Sequence, residues 1–426
     1  MANHQLALKN VTSLYGLQVA NYLIPLLMLP FMVRTLGTHS YGWLALAAAF
    51  NFYFVLLVDA GMNSHASREL AQLDPLRQSR NSEKAATLVA NTTALKAILV
   101  IASASVMAVV VGLTPEWKGQ AALFAVSFLP VLGSLLFPTW LFQGLQIMHY
   151  TMAYSVVGRV IAAIAILGLV RGPDDLVLAA ALQGSATVFS GILALHVIWR
   201  LPGMRWCWPR CAGVRDLFKQ SRSLALSEFS LTALANSTVL IVGMAHTKDI
   251  VGVYAAIEKA MRAALGLFTP LIQALQPRMV QAWQFSAKDV PPLLLVWSLR
   301  VVGAALAASI AGVVLTPWLL TLLFGQVVTS YTHWGQIFCI GLPLSVANAM
   351  LGMWWWIASG RQAAYAPRVA LGVGIQATLF LGCAMLVGIT WALWAWVLAE
   401  ALMLALLFHR SRWQVFKLLT PGAQKP

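Results

Sequence analysis

The sequence predicts an all-α polytopic membrane protein, with about twelve transmembrane helices in two parallel six-helix lobes around a central cleft. Three observations carry that expectation. The 426 residues are 60% hydrophobic and 10% charged, with a mean hydropathy of +0.78, whereas a soluble domain is about half apolar and a quarter charged. The apolar residues fall in repeated runs of about 20, the length a helix needs to cross a hydrocarbon core about 30 Å thick. The basic residues behind the formal charge of +15 sit in short segments between those runs. That pattern records membrane orientation and does not form a nucleic-acid surface. A soluble enzyme and a single-anchor receptor with a large water-exposed head are both excluded.

The runs cover 11–34, 41–62, 86–113, 119–142, 152–170, 176–199, 223–246, 250–275, 292–315, 333–358, 366–387 and 389–409. The first follows Lys9, is longer than a signal-peptide core and has no clear small-residue cleavage site, so it reads as a retained span. With the N-terminus placed in the cytoplasm, 19 of the 28 Lys and Arg residues fall on the inner side. Only Arg34, Lys118, Arg171 and Lys248 fall outside, and Lys96, Arg159, Lys259, Arg262 and Arg300 lie within spans. The asymmetry predicts that both termini are cytoplasmic.

The richest basic segment, Arg200 to Arg222, follows the sixth span and divides the chain into an N-terminal lobe (1–199), a basic cytoplasmic linker (200–222), a C-terminal lobe (223–410) and a cytoplasmic tail (411–426). Two echoes support an internal repeat. Thr38 to Gly42 before an Ala-rich helix recurs as Thr247 to Gly252 before Tyr254-Ala255-Ala256. Leu129-Pro130 with Trp140 recurs as Leu342-Pro343 with Trp354. An even number of spans per half makes the repeats parallel, which places a cleft where they meet. Within the linker, Gly213 to Ser223 has apolar Val214, Leu217 and Phe218 at helical spacing, with basic residues on the other side. That pattern predicts a short helix lying on an anionic inner leaflet.

A charge at the bilayer centre costs about 2.5–3.5 kcal/mol on insertion scales, so ionisable residues inside spans are functional candidates. At 1.5 Å per residue, Asp59 and Glu228 lie only about 5 and 8 Å from the inner boundary, where hydration or snorkelling suffices. Lys96, Glu258, Lys259, Arg300 and Glu400 come out roughly 13–17 Å deep, with Arg262 and Arg159 nearer the cytoplasm. In the eighth span Glu258 and Arg262 share a helical face at i,i+4, while Lys259 points about 100° away. One reading is internal neutralisation, in which Glu258 pairs with Arg262 and one cation finds Glu400 or a carbonyl. The other is that Lys259, Arg262, Arg300, Lys96 and Arg34 line a wet cleft and neutralise an anionic headgroup, guanidinium and ammonium being natural phosphate partners. Five deep cations against two deep carboxylates leave a surplus that an anionic cargo would use. Glu258, Glu228 and Glu400 are then charge partners or coupling groups.

Pro25, Pro30, Pro130, Pro138, Pro270 and Pro343 lie inside spans, and each removes a helix hydrogen bond and favours a kink. Trp354, Trp355 and Trp356 at the inner end of the tenth span fit an aromatic belt. Cys207 and Cys211 form a CxxxC with no second Cys/His pair nearby and read as incidental thiols, with no metal site. There is no GxxxxGK[ST], HExxH or GxSxG, so ATP-driven transport and hydrolase chemistry have no support.

The segment Ser13-Leu14-Tyr15-Gly16-Leu17-Gln18-Val19-Ala20-Asn21-Tyr22, with Pro25, Pro30, Arg34-Thr35-Leu36-Gly37 and Tyr41-Gly42, resembles the polysaccharide transporter family, which includes the Wzx-type O-antigen flippases of the MOP superfamily. The likeness continues through Asp59-x-Gly61, Arg68-Glu69, Trp140 to Gly144, and Val251-Gly252-x-Tyr254 with Glu258-Lys259. The resemblance implies a protein of the bacterial inner membrane that moves an undecaprenyl-pyrophosphate-linked oligosaccharide from the cytoplasmic to the periplasmic leaflet, for O-antigen or exopolysaccharide synthesis. It implies no catalysis and no cofactor. The partners it implies are the lipid-linked oligosaccharide, membrane lipids and glycan polymerase and chain-length proteins. Arg34 and Lys259 fall in the resembling segments, whereas Lys96, Arg262 and Arg300 rest on the charge argument. A cation-coupled multidrug antiporter of the same superfamily fits less well, because the first span offers Asn21 and no carboxylate. A glycan polymerase or ligase would need a sizeable outer loop, and the longest here, about 316–332, carries no charge.

Overall fold

The computed structural model describes the backbone of residues 2–59, 61–73, 81–200, 207–285 and 290–419, and side chains within 24–408 apart from the stretches at 60, 74–80, 199–206, 223, 227, 285–293 and 327. The side chains of Ser13 to Tyr22, Lys9, Arg77, Arg80, Arg200, Arg205, Lys288, Arg410, Arg412, Lys417 and Lys425, all used in reading the sequence, lie outside the described residues. Those described are helical with no strand. In hydrocarbon every backbone N–H and C=O must be satisfied within its own segment, which a helix does.

The chain divides into two compact units, Met1–Asn236 and Ser237–Pro426. Unit 1 contains α1 (Ala2–Asp59), α2 (Met62–Leu73), α3 (Ser82–Leu113), the short helices α4 (Pro115–Lys118), α5 (Ala121–Val126), α6 (Leu129–Leu136) and α7 (Thr139–Gly144), then α8 (Met148–Leu169), α9 (Leu176–Arg200) and α10 (Cys211–Ala235). Unit 2 contains α11 (Thr238–Ala245), α12 (Lys248–Gly266), α13 (Phe268–Phe285), α14 (Val290–Phe324), α15 (Thr332–Met350), a π-helical turn at Leu351–Ile357, α16 (Gln362–Leu386) and α17 (Ile389–Leu419).

Among the described residues nine helices are long and apolar enough to cross a membrane, or ten if 224–245, interrupted at Asn236, is one span. The remaining difference from twelve has two physical sources. The first two predicted spans form one run, broken only at Gly37, whose φ of 75° and ψ of 166° no helix accommodates. The eighth span is α12, which carries Lys248, Asp249, Glu258, Lys259 and Arg262 and so fails on charge while keeping its helix.

The prolines act unequally. Pro130 lies in the first turn of α6 and Pro138 just past its end, and the fourth span is divided into α5, α6 and α7, with turn bonds such as Val131 N–H to Phe128 O at 2.9 Å at the break. Pro25 and Pro30 sit within α1, and Pro343 within α15, with neither helix broken there. Pro270 lies in the first turn of α13, just past the break at Leu267, where a missing N–H costs nothing.

Each unit places a buried tryptophan beside a helix that follows such a break. In unit 1, Trp140 packs with Met62, Ala66 and Leu70 of α2, Leu88 and Leu95 of α3 and Leu217 of α10. In unit 2, Trp354 packs with Ile272, Leu275 and Met279 of α13, Val301 of α14 and Val346 of α15. The echo read between Trp140 and Trp354 thus joins residues with matching roles.

Two expectations are corrected. Trp354, Trp355 and Trp356 do not form a belt; all three are buried, and Trp354 Nε1–H donates to Ile272 O at 2.9 Å. The π-helical turn rotates three consecutive rings inward, where Trp283 meets Trp355 edge to face and Arg368 lies over Trp356 at 4.8 Å. Gly213 to Ser223 is not a separate surface helix but the first half of α10. Its Leu217 is in the core with Val214 packed against it, and only Phe218 of the apolar three is exposed.

Candidate functional site

Several charged side chains of the spans form a polar cluster in each unit. In unit 1 the cluster forms where α1 gives way to α2. Gly61 makes the turn at φ 69°, and a Cβ there would meet Ala225 N at 2.4 Å, so glycine is required both for backbone angle and for the close approach of α10. The first N–H groups of a helix need acceptors. Glu228, reaching from α10, provides one at the start of α2: Gly61 N–H donates to Oε2 at 2.8 Å, while the Ser64 hydroxyl donates to Oε1 at 3.0 Å. Beside it, Lys96 of α3, 2% exposed, donates from Nζ to Asp59 Oδ1 at 2.7 Å and to Asn63 Oδ1 at 2.9 Å.

In unit 2 the cluster lies on α12 and its neighbours. Glu258, 4% exposed, accepts at Oε1 from Thr238 Oγ1 (2.7 Å), Arg262 Nη2 (2.7 Å) and Arg262 Nε (2.9 Å). The Arg262 side chain keeps about half of its surface exposed. Lys259, on the adjoining face, is half-buried and has no hydrogen bond or ion pair among the described residues. Glu400 of α17 accepts from Asn348 Nδ2 at 2.7 Å, and the same amide reaches the Glu400 main-chain oxygen at 3.0 Å.

The sequence-predicted residues therefore have different environments. Lys96 and Arg262 are each matched by a carboxylate in their own unit, and Glu258 is the partner that the i,i+4 spacing predicts. Arg300 is exposed on α14, its guanidinium 5.1 Å from the Trp297 ring, and Arg34 is exposed one turn before Gly37. Glu228 holds the start of α2 and Glu400 holds Asn348. Reasoning from depth along single helices set Asp59 aside as shallow, yet it is the partner of Lys96. A lysine stem spans the offset between two helices, and counting residues from each boundary does not capture that. Asn63, Thr238 and Asn348 were also missed; a lone amide in an apolar run, as in Val346-Ala347-Asn348-Ala349-Met350, was the available signal. Among the described residues no group of three or more His, Cys, Asp or Glu side chains could hold a metal ion. The thiols of Cys207 and Cys211 are free.

Comparison with known proteins gives the family and the fold. The profile of a family described as polysaccharide biosynthesis protein matches residues 7–283, well over half of the chain. A protein of Escherichia coli (strain K12), provisionally named an O-antigen transporter, is 27% identical over 280 residues; the match covers 65% of this chain and just under two thirds, 66%, of that protein. A protein of Shigella dysenteriae with the same provisional name is 24% identical over 357 residues, covering 83% of this chain and 87% of that one. Among solved structures, the lipid II flippase MurJ in an inward closed conformation matches with a TM-score of 0.73 at 9% identity, covering 96% of this chain and 89% of that one. An inward-facing multidrug resistance MATE family transporter of the MOP superfamily matches with a TM-score of 0.71 at 14% identity, covering 94% and 96%. These likenesses give the fold, an all-α integral membrane architecture shared with the MOP superfamily, and the matched profile gives the family: this chain belongs to the polysaccharide biosynthesis protein family.

Proposed function

We propose that the chain is a flippase of the bacterial inner membrane. In this reading it moves an undecaprenyl-pyrophosphate-linked oligosaccharide from the cytoplasmic to the periplasmic leaflet and feeds O-antigen or exopolysaccharide synthesis. Both termini are cytoplasmic and it performs no covalent chemistry. Family membership and the two O-antigen-related proteins support the substrate class. The observation that carries the headgroup role is Lys259, a half-buried cation in mid-helix that no described carboxylate neutralises. An unpaired ammonium in a membrane interior is costly unless water or an anionic ligand meets it, and a pyrophosphate supplies that anion. Arg300 and Arg34, exposed on α14 and α1, are the next contributors. Arg262 and Lys96 contribute only as far as Glu258 and Asp59 release them. Glu228 and Glu400 then act as coupling groups only if their bonds to α2 and Asn348 change during the cycle.

The test is deletion in the native bacterium, with quantification of the undecaprenyl-linked oligosaccharide and of the surface polysaccharide. The expected result is accumulation of the lipid-linked unit on the cytoplasmic leaflet and loss of surface glycan. Unchanged glycan with accumulation of cationic dyes would replace this reading with drug antiport. In a complemented strain, Lys259→Ala and a Lys259→Ala, Arg262→Ala, Glu258→Gln variant, which strands no carboxylate, are expected to reach the membrane but lose transport, while normal transport by either, stably expressed, refutes the headgroup role.

A further inference from the structure

A cavity in unit 1 is lined by none of the residues of that unit's polar cluster. Its volume is about 480 Å³, and it is walled by one face of each of α2, α3 and α10. Its lining carries both cations and carboxylates. Lys84, Asn91 and Arg210 line it together with Glu69, Glu83 and Asp216. Among the described residues neither cation is within 4.0 Å of any of these carboxylates, so opposite charges share the cavity without closing an ion pair. Glu69 leans on His65 at 3.5 Å, which leaves Glu83 and Asp216 as its uncommitted acids.

Three of the lining groups suit a phosphate. The cavity wall includes the N-terminus of α10, a helix of 25 residues whose capping residue Arg210 makes no side-chain cap bond. Its first N–H groups carry partial positive charge. The Arg210 N–H itself donates to Asn91 Oδ1 at 2.9 Å. The other end of that amide, Nδ2, has no acceptor among the described residues, although Asn91 is only 8% exposed and lines the cavity. Gly213 lets α10 approach it, since a Cβ there would lie 2.2 Å from Nδ2. This open donor faces a site where a phosphate oxygen would supply an acceptor. Nearby on the chain, Trp208 is 83% exposed and Phe218 is also exposed, as befits a segment in contact with acyl chains.

We propose that this cavity holds the zwitterionic headgroup of a membrane aminophospholipid, its phosphate on Lys84, Arg210 and Asn91 and its ammonium on Glu83 and Asp216. The site is distinct from the clusters assigned to transport and does not depend on the flippase reading.

The experiment uses the purified full chain, exchanged from nanodiscs of defined composition into detergent, with retained lipid read by native mass spectrometry. Phosphatidylethanolamine is expected to be retained at roughly one per chain, about tenfold more tightly than phosphatidylglycerol. Asn91→Asp keeps the acceptor for Arg210 N–H and replaces the orphaned donor by an acidic oxygen. It is expected to lower retention about tenfold without unfolding, as is a Lys84→Ala, Arg210→Ala variant. A Glu83→Gln, Asp216→Asn variant is expected to keep binding but lose the preference between the two lipids. Equal retention of both lipids by the unaltered chain, or an Asn91→Asp variant indistinguishable from it, overturns the proposal. So does thermal stabilisation by soluble phosphoethanolamine with no lipid retained, which assigns the cavity to a free solute.

Discussion

Lys96 Nζ lies 2.7 Å from Asp59 Oδ1, joining the middle of α3 to the last residue of α1. The lysine is almost fully buried and the carboxylate only partly so, which makes the two sides of the pair unequal. Removing Asp59 strands a charge in the interior, whereas removing Lys96 leaves a carboxylate with some access to water. Breaking a buried pair from one side costs about 3–5 kcal/mol. Asp59→Ala is therefore expected to lower the thermal midpoint of the detergent-solubilised protein more than Lys96→Met does. The Asp59→Leu, Lys96→Met double variant should recover much of the loss. If the double variant is stable but inactive, Lys96 has a role in transport beyond this pair.

Glu228 supplies an acceptor at the start of α2. Glu228→Ala leaves the partly buried Gly61 N–H and the exposed Ser64 hydroxyl without that acceptor, a loss of about 1 kcal/mol. Glu228→Gln keeps an oxygen for Gly61 N–H and is expected to cost clearly less. Comparing hydrogen exchange over residues 61–66 in the two variants checks this, since the alanine variant alone should expose the first turn of α2.

Glu258 and Arg262 form a pair whose effect on transport is separable from its effect on folding. Arg262→Gln leaves the buried Glu258 with Thr238 as its partner, so abundance in the membrane is expected to fall. Adding Glu258→Gln removes the stranded charge and should restore abundance. A double-mutant cycle run on abundance and on transport together apportions the two. Restored abundance with restored transport confines Arg262 to neutralisation.

Trp354 contributes both volume and one hydrogen bond to the core of unit 2. Trp354→Phe keeps an aromatic ring but gives up the indole N–H bond to Ile272 O, and about 1–2 kcal/mol is expected. Trp354→Ala opens a cavity against α13 and α14 and is expected to cost about 3–5 kcal/mol. Trp140→Ala should behave alike in unit 1. A thermal midpoint unchanged by Trp354→Ala would contradict the burial described above.

Much of this protein is determined by its sequence. Apolar runs of about 20 residues admit only helices once they are in lipid, because no other local structure satisfies the backbone there. Gly37, falling between the first two runs, marks their division for the same reason that it breaks α1. The i,i+4 spacing of Glu258 and Arg262 determines their pairing, since both lie on one face of one helix. Tertiary structure alone decided what lies between helices. Asp59 meets Lys96, and Glu228 meets Gly61, across sequence separations of 37 and 167 residues. No periodicity along either segment encodes such contacts, because they depend on how neighbouring helices are offset and rotated. The same is true of Trp354 to Trp356, whose composition fits an interface and whose π-helical turn places them in the core. Local hydrogen bonding determines a helix residue by residue, but which side chain neutralises which charge is settled only when helices pack and water is excluded between them.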